Sequence, residues 1–166
     1  MERIVAVLNW IEGSAPAVAV ARSNWLFPAL ETIHVLAVAL TVGTVLIVDL
    51  RLLGLASTRQ PYEAVRRDVL PWTWAAFGVP VVSGSLIFVS QATEYSANSA
   101  FRAKFILLLL AGLNMLVFEC IIARGAGDWA RRIPWRAKLP ALLSIALWVL
   151  IVFFGRRVGF TMDLIN

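Results

Sequence analysis

The stretch ETIHVLAVALTVGTVLIVDLRLLGL, residues 31–55, decides the fold of this chain. The 14 residues that follow His34 are uncharged, and the mostly apolar run begins at Trp25. A hydrocarbon core about 30 Å thick is crossed by roughly 20 residues of helix. We therefore predict a membrane span over about residues 25–48, and this span contains the only histidine of the chain and, three residues earlier, Glu31.

Three further windows have the same character, at about residues 71–90, 101–123 and 139–154. Of the 166 residues, 60% are hydrophobic and 15% are charged, and the mean hydropathy is +0.81. A soluble domain is nearer half apolar and a quarter charged. A backbone that crosses lipid must satisfy its own hydrogen bonds, and these windows lack the alternation of barrel strands. The predicted fold is an all-α integral membrane four-helix bundle.

The segments outside the spans are too short to form a separate soluble domain. We predict one four-helix domain over residues 23–160, with an N-terminal segment 1–22 and a short tail 161–166. In the N-terminal segment, apolar residues repeat at helical spacing from Ile4 to Ile11 while polar residues lie off that stripe. This pattern is typical of an amphipathic helix that lies in the membrane interface. A cleaved leader is the alternative, because Arg3 precedes the apolar residues.

The basic residues indicate an orientation. Nine of them lie in the first and third loops: Arg51, Arg59, Arg66, Arg67, Arg124, Arg131, Arg132, Arg136 and Lys138. Six lie in the three segments on the other side: Arg3, Arg22, Arg102, Lys104, Arg156 and Arg157. By the positive-inside rule, loops one and three face the cytoplasm and both termini lie outside. Because these residues flank the spans, the expected partner is the lipid bilayer and not a nucleic acid.

Glu31 and His34 are the strongest candidate site, because residues three apart share a helix face and intramembrane charges tend to be functional. The pair has several possible roles. Carboxylate and imidazole together bind transition metals in di-iron bundles, which use two such motifs and two further carboxylates. The imidazole can also ligate haem iron while the carboxylate orients it. The pair can relay protons. Finally, it can be a polar contact that locks the helices together.

Haem b is the candidate cofactor, and its binding residues would be His34, Glu31 and Met115; His34 is also the metal-ligand candidate. One histidine cannot fill both axial positions of a bis-histidine haem. The second ligand would come from His34 of another copy in a symmetric dimer, from Met115 or from water. Besides the lipid bilayer, the expected partner is another copy of the chain in a homo-oligomer or a membrane partner subunit.

A wider polar network is predicted among Glu31, His34, Lys104, Asn114, Glu119 and Arg156. Lys104 opens the third span, where it can extend to lipid headgroups or serve as the counter-charge for Glu31. Arg156 closes the fourth span, where it can anchor to headgroups or reach back to the carboxylates at that end.

Asn114 and Glu119 belong to the third span. Asn114 is deep enough to hydrogen-bond across to the first helix, at a position facing His34. Glu119 lies near the end of the span, where Arg124 or a loop arginine can pair with it. In the second span, Pro80 is surrounded by small residues, Gly78, Ser83, Gly84 and Ser85, which permit close approach of another helix.

Motifs of soluble enzymes are absent: there is no phosphate-binding loop, no H-E-x-x-H, no C-x-x-C and no dinucleotide fingerprint. Cys120 is the single cysteine, so an intrachain disulfide is impossible. We expect no enzymatic activity. Three functions stay open: a structural or interaction protein, a haem- or metal-binding redox module, and a proton or small-solute carrier.

Three stretches carry a family resemblance: SNWLFPALETIHVLAVALTVGTVLIVDLRLLGL, FRAKFILLLLAGLN and GRRVGF. They resemble a family of small, largely uncharacterised four-helix proteins of the bacterial inner membrane, over roughly residues 20–160. The distinctive part is E-x-x-H followed by G-x-x-x-x-x-D-x-R-x-x-G. The resemblance implies a multi-pass protein of the bacterial inner membrane and no agreed activity.

A looser likeness extends to the membrane domains of copper-resistance proteins and to bis-histidine cytochrome b bundles. This chain differs from both, because it has one histidine and its methionines, Met1, Met115 and Met162, do not form a cluster suited to copper(I). If a cofactor binds, the likeness favours His34 as its ligand.

Overall fold

A computed structural model describes residues 2–123, 129 and 133–162. Within these ranges all regular structure is helical, which confirms the predicted fold class. The helices are α1 (Glu2–Glu12), α2 (Ala15–Arg22), α3 (Leu26–Leu53), α4 (Tyr62–Ser90), α5 (Ala92–Ala97), α6 (Ser99–Val117) and α7 (Trp135–Met162). A π-helical turn, Phe118–Ile122, continues α6.

Four helices are long and apolar enough to cross a membrane: α3, α4, the helix Ser99–Ile121 and α7. In their most apolar windows between 6% and 22% of the residues are buried within the protein, so most of the apolar surface faces outward. Such a surface suits contact with lipid chains, which are as apolar as leucine.

The helices extend beyond the predicted windows. Helix α4 begins at Tyr62 and not near residue 71, and α3 continues to Leu53. Hydropathy detects only the part of a helix that matches the hydrocarbon core, whereas backbone hydrogen bonding continues through polar turns. Helix α3 ends at Gly54, whose φ of +78° is a left-handed conformation that glycine adopts at little cost.

The packing places α3 in the middle of the bundle. Helix α3 contacts α4 most extensively and α7 on another side, while α6 packs mainly against α7. Four crossings return the chain to the end of the bundle where it entered, so the start of α3 and the end of α7 lie together, around a shared crevice.

The N-terminal segment forms two helices, α1 and α2, which meet at a bend of 68°. Helix α2 buries Ala17 and Val20 and packs against α4. The Glu12 carboxylate of α1 accepts a hydrogen bond from the Thr93 backbone N–H at 2.7 Å. By length and composition the two helices together pass as one broken span or a re-entrant loop, so the interfacial helix and the domain boundaries stay predictions.

Part of the sequence evidence falls outside the described ranges. This applies to three of the arginines that indicate the orientation, Arg124, Arg131 and Arg132, and to residues 163–166 of the predicted tail. The orientation with both termini outside therefore stays a prediction.

Candidate functional site

The His34 side chain on α3 turns toward α4. Its Nδ1 lies 3.1 Å from Oγ of Ser83, which is buried. The Ser83 hydroxyl also lies 2.8 Å from the Val79 carbonyl of its own helix, in position to donate to it. When the single hydroxyl hydrogen points to Val79, the neutral imidazole donates from Nδ1 to Ser83; when it points to His34, Nδ1 accepts it. We consider the first arrangement. In this arrangement Nε2 carries the free lone pair.

Gly84 provides the space for the ring. A Cβ at this position would lie 2.9 Å from Cε1 and 3.3 Å from Nδ1 of His34, and the first distance is closer than real Cβ contacts. Any larger residue at position 84 would displace the imidazole. The small residues around Pro80, which the sequence assigns to close helix packing, thus accommodate the histidine of the neighbouring helix.

The Lys104 side chain of α6 packs in a similar way on a glycine of α7. A Cβ built on Gly155 would lie 3.4 Å from Nζ and 3.5 Å from Cε of Lys104. Among the described residues no ion pair within 4.0 Å joins Lys104 to Glu31. Because α6 packs on α7, the ammonium lies against α7 instead of pairing with the Glu31 carboxylate of α3.

Glu31 and Arg156 line one crevice of about 250 Å³ at the end of the bundle. We call it the end crevice. Its other lining residues include Phe27 of α3, Phe160 of α7, and Gln91 and Tyr95 beside the end of α4. The structure therefore brings together the two oppositely charged residues that the sequence places at the outer ends of the first and fourth spans.

Aromatic residues shape the end crevice. The Arg156 guanidinium carbon lies 4.7 Å from the centroid of the Phe160 ring, a cation–π contact. Tyr95 is buried, and its burial, followed by the nearby carboxylates of Glu31 and Glu94, raises the pKa of its phenol to about 12. Tyr95 consequently stays a neutral phenol whose O–H can donate.

Asn114 and Glu119 lie away from this site. Asn114 Nδ2 donates to the Pro140 carbonyl of α7 at 3.0 Å, so it does not face His34. Glu119 forms a bidentate pair with Arg66, with distances of 2.7 Å from Nη2 and 3.2 Å from Nε. Arg66 belongs to the first turns of α4, in the segment that the sequence assigns to the first loop.

Sequence reasoning missed Asp49 and Tyr62 as interior residues. They are 6% and 1% exposed, and within the described ranges Asp49 Oδ2 and the Tyr62 hydroxyl have no hydrogen-bond partner. A signal was present in α3: His34, Thr41 and Asp49 are separated by seven and eight residues, which puts them near one helix face. That face is the one that turns inward, since Thr41 is also 1% exposed.

The site residues and the helices that hold them fall within one sequence family. A family model described as "Family of unknown function (DUF6644)" matches residues 9–161. The chain belongs to this family. No curated protein and no solved structure matches it. The membership agrees with the resemblance to an uncharacterised family, while the likeness to copper-resistance and cytochrome b domains stays a prediction.

In this DUF6644 member the assignment of His34, Glu31 and Met115 as cofactor ligands stays a prediction. Met115 lies 11 positions after Lys104 on α6, which is about 16 Å of helix rise. Across residues 2–123, 129 and 133–162, no group of three histidine, cysteine or acidic side chains is placed to hold a metal. Among these described residues, His34 Nε2 is one potential ligand.

Proposed function

We propose that this DUF6644 chain is a small integral membrane protein with a structural or interaction role, in which His34 fastens α3 to α4. The observation that carries the proposal is the 3.1 Å contact between His34 Nδ1 and Ser83 Oγ. It joins residues 49 positions apart on the two helices that pack most extensively.

The contact has the features of an interhelical attachment. Interhelical hydrogen bonds in membranes contribute about 0.6 to 2 kcal/mol each. Gly84 allows the ring to approach α4 directly, so packing adds to the hydrogen bond. By contrast, the exposed Ser85 hydroxyl, on the same helix, donates only to its own Val81 carbonyl at 2.7 Å.

The same chain has an expected membrane, orientation and set of partners. The sequence resemblance supports a place in the bacterial inner membrane, and the distribution of basic residues supports both termini outside. A homo-oligomer or a membrane partner subunit would cover part of the outward-facing apolar surface, which otherwise faces lipid chains.

The test is the thermal unfolding of the full chain in detergent. His34→Ala should cost about 1 to 2 kcal/mol, since both the hydrogen bond and the packing on Gly84 are lost. Ser83→Ala should cost less, because the ring still packs on α4. Ser85→Ala is the matched control and should leave stability unchanged. Equal stability of the wild type and His34→Ala would refute the attachment.

A haem- or metal-binding redox module is the second candidate, and the orientation of the imidazole favours it. With the Nδ1 proton directed to Ser83, the Nε2 lone pair is available for a metal. Haem b would supply one-electron chemistry, and this chain would contribute one axial ligand. In a symmetric homo-oligomer a second copy of His34 would supply the other. A proton or small-solute carrier stays a prediction from the sequence.

A visible absorption spectrum of the purified protein, with metal analysis, separates the two candidates. The redox module predicts a Soret band that His34→Ala abolishes and Ser85→Ala preserves. The structural role predicts that His34→Ala lowers stability and changes no visible absorption. A colourless protein from cells supplied with haem precursor, in which analysis finds no iron and no other redox metal, would exclude the second candidate.

A further inference from the structure

The end crevice holds two opposite charges that are not paired with each other. Among the described residues, neither Glu31 nor Arg156 takes part in an ion pair within 4.0 Å or in a side-chain hydrogen bond. Arg66 and Glu119, in contrast, close a bidentate pair at 2.7 Å. Both side chains are exposed, so their charges are accessible, and the crevice is suited to a ligand that carries both signs.

The shape and lining of the crevice narrow the ligand further. Its volume of about 250 Å³ is below the roughly 300 to 1,000 Å³ typical of drug-sized pockets, so it suits a small headgroup. Phe27, Phe160 and Met162 make part of the wall apolar. The crevice lies where the spanning helices begin and end, at the level of lipid headgroups. An amphiphile can therefore place its polar group in the crevice and its chains along the outward-facing apolar helices.

We propose that the end crevice binds the headgroup of a zwitterionic phospholipid with a primary ammonium, as in phosphatidylethanolamine. The phosphate lies against the Arg156 guanidinium, and the ammonium lies against the Glu31 carboxylate. The Gln91 amide and the Tyr95 phenol, both of which line the crevice, can hydrogen-bond the same headgroup. Charge-assisted hydrogen bonds of this kind are the strong class.

The carboxylate selects the ammonium type. A primary ammonium donates hydrogen bonds to Glu31, whereas a trimethylammonium has no donor. A choline headgroup is held by open aromatic faces. Here the Phe160 ring already carries the Arg156 guanidinium at 4.7 Å. An ethanolamine headgroup therefore fits better than a choline headgroup. A headgroup without an ammonium leaves Glu31 unpaired. The site is separate from the His34–Ser83 contact and does not depend on its function.

The experiment measures lipid affinity for the full chain in a neutral detergent, by native mass spectrometry and by thermal shift. Phosphatidylethanolamine should bind at least about tenfold more tightly than phosphatidylcholine or phosphatidylglycerol, because one charge-assisted contact is worth that much. Equal affinity for the three lipids in the wild type would overturn the proposal without reference to any variant.

Variants locate the site. Glu31→Gln and Arg156→Gln should each weaken phosphatidylethanolamine binding by about tenfold. The matched controls are Glu94→Gln and Arg157→Gln, which change exposed charges beside the crevice and should leave binding unchanged. An equal loss in the control variants would assign binding to general surface charge and overturn the proposal.

Two further experiments identify the source of the ligand and test whether lipid binding is independent of His34. Water-soluble phosphoethanolamine should bind far more weakly than the lipid, and equal binding would replace the lipid with a soluble solute. His34→Ala should retain phosphatidylethanolamine selectivity. If His34→Ala loses this selectivity while Glu31→Gln keeps it, the lipid site lies at His34 and the proposed site in the crevice is wrong.

Discussion

The two ends of the bundle use the same kinds of side chain in opposite ways. At the end that holds Arg66, called here the ion-pair end, Glu119 and Glu63 both lie within 3.0 Å of its guanidinium. At the other end, Glu31 and Arg156 line one crevice without pairing. The comparison shows that the residue types alone do not separate a structural ion pair from an available site; the contacts in the folded chain do.

Aromatic rings pack on different helices at the two ends. At the ion-pair end Tyr62, at the start of α4, lies between Phe118 and Trp129 in one buried cluster, with ring centroids 6.2 and 5.5 Å away. At the crevice end Phe88, Tyr95 and Phe101 pack on one another at 5.4 to 6.4 Å. Those rings join α4, α5 and α6, and leave the ends of α3 and α7 to border the crevice.

The largest expected effect comes from removing the ring at the centre of the ion-pair end. Tyr62→Ala should lower stability by about 3 to 5 kcal/mol, because it leaves a cavity among buried aromatic rings. Phe27→Ala, at the half-buried wall of the crevice, should cost less than half as much. Chemical unfolding in detergent measures both. Similar losses would mean that the two ends are equally packed.

An intermediate effect is expected from neutralising one carboxylate at each end. Glu119→Gln should cost about 1 to 3 kcal/mol, because Arg66 then loses its bidentate, partly buried partner. Glu31→Gln should change stability by less than about 0.5 kcal/mol in lipid-free detergent, since its carboxylate is exposed and unpaired. A larger loss for Glu31→Gln would show that the two ends do not differ in pairing.

A further effect, confined to high pH, is expected at the crevice end. Burial and the Glu31 carboxylate raise the pKa of Tyr95 to about 12, above its ordinary value of about 10. The contribution of the neutral phenol is complete below pH 10 and is lost as the pH rises through 12. Tyr95→Phe should remove this dependence, measured by thermal unfolding across that range. If the stability of the wild type varies with pH in the same way as that of Tyr95→Phe, the phenol is exposed to water and its pKa is not raised.

Part of the site was accessible from the sequence. Glu31 and His34 were recognisable because charged residues are rare in spans, and Glu119 was expected to pair with a loop arginine for the same reason. The partners of His34 and Asn114 were not predictable. Ser83 meets His34 because of the register between α3 and α4, and Asn114 meets Pro140 because α6 packs on α7.

The sequence by itself determined that four apolar helices cross a membrane, because the cost of an unsatisfied backbone in lipid acts on each segment separately. It also determined which few polar residues those helices contain. Only the tertiary structure decided that His34 lies on Gly84, that Asp49 and Tyr62 are interior, and that Glu31 and Arg156 border one crevice. These relations depend on which helices are neighbours and on how far each is displaced along the other, and outward faces that are uniformly apolar carry no information about either.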